Sequence, residues 1–221
     1  MKTTALIVAG GSGIRFNNNT PKQFLLIDNK PVLMYTIERF CQLDNIYVVI
    51  PKCHFDHWRH LCESNNFNIK HTLVEGGKNR FDSVKNGLRK ITNTDIVLIH
   101  DGVRPCVSKQ LINNLINNVE PGLGVIPTLP LTESIRFVEN NKSKNVLRKN
   151  YMSVQTPQCF RHEEIIKAYS QNYCDLFTDD ASVFEAFGNK IITVDGENQN
   201  IKITLQALEQ NKYMSGYGKK E

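Results

Sequence analysis

The 221-residue sequence contains no apolar run of membrane-spanning length, and its first residues pass into a strand-like segment without a signal-like apolar core. We therefore expect no membrane partner and a cytoplasmic location. C-x-x-C pairs are also missing. Cys41, Cys53, Cys62, Cys106, Cys159 and Cys174 follow no regular framework, which reads as reduced, mostly buried thiols. Lys and Arg number 27 against 22 Asp and Glu, but the surplus is scattered and no basic stripe alternates with aromatics. That pattern argues against a nucleic-acid partner and suits an anionic small molecule. No internal repeat or low-complexity segment interrupts the chain, and its length fits one domain over residues 1–221.

What is present is concentrated between Leu6 and Gln23 (LIVAGGSGIRFNNNTPKQ). The run Leu6-Ile7-Val8-Ala9 reads as a buried strand. Gly10, Gly11 and Gly13 then allow a sharp turn whose successive N–H groups form an anion-binding concavity. Arg15 and Lys22 add two cations, and Pro21 stiffens the approach to Lys22. A dinucleotide fingerprint would need glycine where Phe16 stands, and the phosphate-loop pattern G-x-x-x-x-G-K-[ST] is absent. The remaining pattern, G-G-x-G-x-R with P-K after it, resembles the signature loop of nucleotidyltransferases that activate sugar and polyol phosphates.

Further along, strands and helices alternate. A helix is expected from near Pro31 through Phe40, a strand over Ile46–Ile50, then a polar helix and a short strand ending near Val74. Phe81, Val84, Leu88 and Ile91 recur at helical spacing, Asp95–His100 is an apolar strand, and Ser108 can cap a helix carrying Leu111, Ile112, Leu115 and Ile116. This order predicts an α/β fold: a Rossmann-like, doubly wound, mostly parallel sheet with helices on both faces. Ligands on such sheets sit beyond the carboxyl ends of the strands, where the glycine loop, Gly76-Gly77 and Asp101 all fall. From about residue 127 to 157 the pattern becomes that of a projecting β-hairpin arm, with Glu139–Lys144 read as turn-like. A lone hairpin is marginal in water, so a second copy of the chain is the expected packing partner, giving a homodimer. After Gln155-Thr156-Pro157-Gln158 we expect a helix directly. A second helix should end at Gly188, with a strand over Lys190–Val194, the segment Ile201–Thr204 and a closing helix to follow.

These residues together resemble bacterial 2-C-methyl-D-erythritol 4-phosphate cytidylyltransferases of isoprenoid-precursor biosynthesis. The resemblance is carried by the glycine loop with Arg15, Pro21-Lys22-Gln23, Glu75-Gly76-Gly77 with Arg80 and Asp82-Ser83-Val84, and His100-Asp101 with Arg104-Pro105. It continues through Thr156-Pro157-Gln158, Thr178 to Ser182, and Asn200 to Thr204. It implies a single nucleotidyltransferase domain with an arm exchanged across a homodimer, CTP and a polyol phosphate as substrates, and a requirement for Mg²⁺. By the same resemblance, Arg15 and Lys22 would stabilise the transition state at the α-phosphate. Arg148, from the neighbouring subunit's arm, and Lys202 would position the attacking phosphate. Ala9, Gly10, Gly11, Ser12, Gly13, Gly76, Arg80 and Ser83 would surround the nucleotide. Asp101, Arg104, Ser134 and Thr156 would form the acceptor pocket, with Asp101 the carboxylate nearest a metal held mainly by the CTP phosphates.

The chemistry agrees with what the sequence omits. A phosphate monoester is mostly dianionic at neutral pH, so it needs no general base, and no Ser-His pairing is evident. Some positions depart from the family pattern: Gly102-Val103 after the aspartate, Glu133-Ser134-Ile135-Arg136 in the arm, and Leu147 before Arg148. These bear on the acceptor, and ribitol 5-phosphate stays open beside methylerythritol phosphate. An NAD-dependent oxidoreductase and an inactive nucleotide-binding protein are more distant alternatives. The crowd of Cys53, His54, Asp56, His57, His60 and Cys62 matches no structural zinc spacing and reads as a polar helix surface.

Overall fold

The computed structural model of the protein describes residues 1–10 and 21–203. Gly11, Ser12, Gly13, Arg15 and Phe16 of the glycine loop, and the closing helix expected after Thr204, lie outside the described residues. The elements run β1 (Thr3–Val8), β2 (Leu26–Ile27), β3 (Lys30–Pro31), α1 (Val32–Glu38), β4 (Asn45–Ile50), α2 (Phe55–Ser64), β5 (Thr72–Glu75), α3 (Arg80–Lys90) and β6 (Ile96–Asp101). They continue with α4 (Lys109–Asn118), β7 (Leu123–Pro130), β8 (Arg136–Glu139), β9 (Lys142–Asn145), β10 (Met152–Val154), β11 (Gln158–Arg161), α5 (His162–Ala168), α6 (Asp180–Ala186) and β12 (Lys190–Asp195).

Strand β1 is flanked in parallel by β4 and β6, with Leu6 opposite both Tyr47 and Ile99, and β5 extends the sheet beyond β4. Past β6 the direction reverses. β11 runs antiparallel between β6 and β7, and β10 pairs with β7 at Val154 opposite Thr128. β12 lies parallel along the other edge of β7. The sheet is mostly parallel and Rossmann-like, as the alternation of elements predicts.

Alternating side chains divide the core. Ala5 and Ile7 face a cluster with Ile37, Trp58, Ile112 and Leu115, while Leu6 and Val8 face one with Val84, Leu88 and Phe184. Helices therefore cover both faces. Helix α3 sits directly on β1, for a Cβ on Gly87 would fall 2.4 Å from Leu6 Cδ1. Helix starts follow local chemistry: Ser108 Oγ accepts from Leu111 N at 3.0 Å and Asn79 Oδ1 from Asp82 N at 2.8 Å. None of the helices, among the described residues, is long and apolar enough to cross a membrane.

Four expectations are corrected. Thr156-Pro157-Gln158 does not lead straight into a helix; β11 intervenes, its Gln158, Cys159 and Phe160 buried in the sheet. The arm's turn is only Asn140-Asn141, both at positive φ (48° and 60°), and the returning strand begins at Lys142. Residues 127–130 and 152–154 are strands of the main sheet, so the segment that leaves it is shorter than 127–157. All six cysteines are free, but only Cys159 is buried; Cys41, Cys53 and Cys174 are exposed. Single cysteines at helix ends and loops carry no periodic signal from which burial could be read.

Candidate active site

The carboxyl ends of β1 and β5 meet the first turn of α3. Ala9 N donates to Val49 O at 2.8 Å and Gly76 N to Ile50 O at 2.9 Å, so both chains leave the sheet as continued strands. A Cβ on Gly10 would lie 2.7 Å from Ser83 Oγ, and one on Gly76 would lie 3.4 Å from Gly10 Cα. Glycine is needed at position 10 because backbone and helix touch there. Ser83 is buried; its hydroxyl accepts from Gly77 N (2.9 Å) and donates to Asn79 O (2.8 Å), so it shapes this loop. Ala9, Gly10, Gly76, Ser83 and Arg80 thus converge.

Lys22 opens a 3₁₀ turn that follows Pro21. Buried Gln23 donates from Nε2 to Ala9 O at 3.0 Å, and Phe24 stacks near Trp58 with His54 and His57 edge-on. The lysine is carried on a turn pinned to the end of β1. His54 and His57 are accordingly packing groups around Phe24, while His60 is exposed.

Asp101 closes β6 and is the centre of charge. Its Oδ2 lies 2.9 Å from Lys202 Nζ and 3.3 Å from Arg104 Nε, and its Oδ1 lies 3.6 Å from Arg80 Nε. Burial pushes this carboxyl up, but Arg80, Lys202 and Arg104 outweigh that and hold it well below the usual carboxylate range. Three cations on one anion leave positive charge for a further anionic ligand. Arg80 is in turn paired with fully buried Asp180 at 2.9 and 2.7 Å, and Tyr169 donates to Asp180 Oδ1 at 2.5 Å. Burial opposes the Arg80 charge, yet Asp180 keeps its pKa above the ordinary value. Gln158 sets this pair by docking the start of α6: Nε2 donates to Asp179 Oδ2 and Oε1 accepts from Ala181 N, both at 2.8 Å.

Thr156 and His100 complete the floor. Thr156 Oγ1 accepts from Asp101 N and lies 3.0 Å from His100 Nδ1, while His100 Nε2 lies 3.0 Å from Arg104 O. A carbonyl can only accept, so Nε2 carries the proton and Nδ1 accepts from the threonine hydroxyl. Burial above all lowers the His100 pKa to about 4 and keeps the ring neutral.

Of the predicted catalytic and acceptor residues, Lys202, Asp101, Arg104 and Thr156 are brought together with Arg80. Ser134 and Arg148 are exposed on the arm, where Arg148 donates to Thr132 O. Sequence reasoning gave no role to His100, Asp180, Tyr169, Gln155 or Asn200. His100, Asp180 and Asn200 stood within the motifs that carry the family resemblance, whereas Tyr169 gave no signal. Among the described residues, no group of three or more His, Cys, Asp or Glu could hold a metal ion. Asp101 offers a single carboxylate already engaged by three cations.

A mostly parallel α/β sheet with Gly10 packed on Ser83, a pinned lysine and a cation-ringed aspartate at its carboxyl edge defines a nucleotide-handling enzyme of the nucleotidyltransferase class. A family model described as 2-C-methyl-D-erythritol 4-phosphate cytidylyltransferase matches residues 3–209, and the chain belongs to that family. It is 46% identical over 207 residues to the Bacteroides fragilis protein of that name, covering 92% of this chain and 94% of the relative. The Francisella tularensis 2-C-methyl-D-erythritol 4-phosphate cytidylyltransferase structure is similar at TM-score 0.78 and 31% identity, over 97% of this chain and all (100%) of that one. The Anaerococcus prevotii 4-diphosphocytidyl-2C-methyl-D-erythritol synthase structure aligns at TM-score 0.79 and 26% identity, over 96% of each chain.

Proposed function

We propose that this protein transfers CMP from CTP to 2-C-methyl-D-erythritol 4-phosphate, forming 4-diphosphocytidyl-2-C-methyl-D-erythritol and pyrophosphate in isoprenoid precursor biosynthesis. The observation that carries the reading is the three-cation ring on Asp101, at the same sheet edge as Gly10 and the turn that carries Lys22, in a chain of this family.

An oxygen of the acceptor's dianionic phosphate attacks the α-phosphorus of CTP. The new P–O bond forms as the bond to the bridging oxygen of the β-phosphate breaks, and pyrophosphate leaves with that electron pair. No proton has to be removed from the nucleophile. The barrier is charge: two anions meet while negative charge grows on the α-phosphate and leaving group. Fixed cations are the appropriate catalysts. Lys22, held by Gln23 and Phe24, and Arg15 serve the α-phosphate. Gly10, Gly11, Ser12, Gly13 and Gly76 line the nucleotide, with Ser83 packed against Gly10 and bonded to Gly77 N, and Arg80 bridging to Asp101. Lys202 and Arg104 face the acceptor phosphate, with Thr156 and Asp101 fixing their edge.

The described residues do not form a protein-built divalent site. A Mg²⁺ ion would be held mainly by the hard phosphate oxygens of CTP, with Asp101 the nearest carboxylate, and would supply charge neutralisation there. We further propose a homodimer through the arm. Phe137 and Val138 on a hairpin too small to be stable alone, Leu147 and Tyr151 after it, and Met152 where the chain rejoins the main sheet are each about half exposed or more, between 46% and 67%. The dimer places Arg148 and Ser134 at the neighbour's acceptor pocket.

Pyrophosphate release from CTP and Mg²⁺, dependent on added methylerythritol phosphate, tests the reading; no release with any polyol phosphate would sink it. Removing the charge of Arg15 or Lys22 should lower turnover ~10²–10³-fold, the effect of deleting one preorganised group.

A further inference from the structure

Lys202, the closest cation to Asp101, belongs to no helix or strand. It sits on a strap, residues 196–203, that follows β12, and the strap is held by two buried carboxamides to which no role has been given so far. Gln155 reads the main chain of Glu197 as a neighbouring strand would: its Oε1 accepts from Glu197 N at 3.0 Å and its Nε2 donates to Glu197 O at 2.8 Å. The same Nε2 reaches Asn200 O at 3.2 Å. Asn200, with 0% exposure, donates from Nδ2 to Thr156 O at 2.8 Å, while its carbonyl accepts from Arg104 Nη1 at 2.8 Å.

The approach is close. A Cβ on Gly196 would fall 2.6 Å from Gln155 Oε1, and Gly196 N donates to Thr128 O at 2.8 Å. At the far end Ile203 N donates to Val103 O at 2.9 Å, and the Ile203 side chain packs with Ile27 and Val32. Lys202 lies between these anchors, turned away from buried Ile203.

A stabilising role alone does not account for Asn200. Among the described residues, its buried Oδ1 has no hydrogen-bond partner. Such an orphan acceptor costs about 1–3 kcal/mol. What the side chain provides in exchange is an Nδ2 that donates to Thr156 O and reaches Gln155 Oε1 at 3.5 Å, which holds the main-chain carbonyl aimed at Arg104.

We propose that Gln155 and Asn200 are positioning residues of the acceptor half of the site. They fix the strap so that Lys202 and Arg104 share Asp101 and present two cations at a set separation to the acceptor phosphate. They touch neither nucleotide nor acceptor and act through Lys202, Arg104 and Thr156. The proposal rests on the cytidylyltransferase reading above for the identity of the ligand.

The test is steady-state pyrophosphate release with CTP and methylerythritol 4-phosphate varied separately in full-length wild type, Asn200→Ala and Gln155→Met, the last keeping side-chain length without hydrogen bonds. Two cations displaced from one anion should raise the acceptor KM about tenfold or more, with the CTP KM within about twofold of wild type. A general loss of folded protein would lower kcat and leave both KM values alone. A folded variant with an unchanged acceptor KM, or with both KM values raised alike, overturns the proposal. Two variants are used because either alone could fail to fold.

A second readout needs no turnover: the rate at which an amine-reactive acetylating reagent labels Lys202, followed by mass spectrometry. Release of Lys202 from Asp101 should speed labelling several-fold in the variants, and an unchanged rate also overturns the proposal. Wild-type protein that turns over neither acceptor contradicts the functional reading instead, and the labelling rate then decides the clamp by itself.

Discussion

His100 shows how a single residue ties the site to stability. In the unfolded chain an imidazole takes its proton near pH 6.5, but in the fold at about 4. Between those values the unfolded state holds more protons, so stability falls as pH falls; above 6.5 the contribution is complete. The loss by pH 4 is at most about 3 kcal/mol. Burial also depresses His54 and His71, with the same sign. The expected result is a urea midpoint that drops between about pH 7 and about pH 4.5 more steeply in wild type than in His100→Gln. Equal slopes would contradict the buried neutral ring. Residues of this kind were only partly legible in the sequence. Asp101 was readable because it ends an apolar strand at the ligand-bearing edge. Its partner Arg80 is bound to Asp180, one hundred positions away, and no local pattern links residues so far apart.

At the scale of elements, local physics was the better guide. The helical spacing of Phe81, Val84 and Leu88 became the buried face of α3, and Ser108 became a cap. Strand β11 was missed because four residues give too short a run for period to show, and its place between β6 and β7 is set by tertiary pairing. The arm's return strand was missed because Lys142–Asn145 is fully exposed and polar, so its composition reads as a turn. The junction of β1, β5 and α3 gives a sharp prediction. In Gly10→Ala the new methyl must displace Ser83 Oγ, and with it the bond to Gly77 N. We expect a stability loss of about 1–3 kcal/mol and a CTP KM raised by about tenfold, with the acceptor KM little changed. A normal CTP KM would show that this junction does not shape the nucleotide pocket.

At the scale of the whole molecule, the proposed dimer makes a prediction of its own. Within a protomer Lys202, Arg104 and Arg80 meet at Asp101, whereas Arg148 stays on the arm. If the arm serves a neighbour, Lys22→Ala and Arg148→Ala chains are each nearly inactive alone. Mixed dimers then contain one site with both residues intact, and random reassortment should restore about a quarter of wild-type turnover. No recovery on mixing, with dimers verified, would place Arg148 in its own protomer's site. The sequence announced the arm by its change of rhythm but could not show what covers its exposed Phe137 and Val138, because a covering surface leaves no pattern in the arm's own residues. The central claim, transfer of CMP to one particular acceptor phosphate, is tested most directly by competition. Methylerythritol 4-phosphate and ribitol 5-phosphate are offered together at equal concentration with limiting CTP and Mg²⁺, and the cytidylyl products are resolved by mass. The account predicts 4-diphosphocytidyl-methylerythritol in large excess, with one pyrophosphate per product; a ribitol product in excess, or CMP released to water, would contradict it.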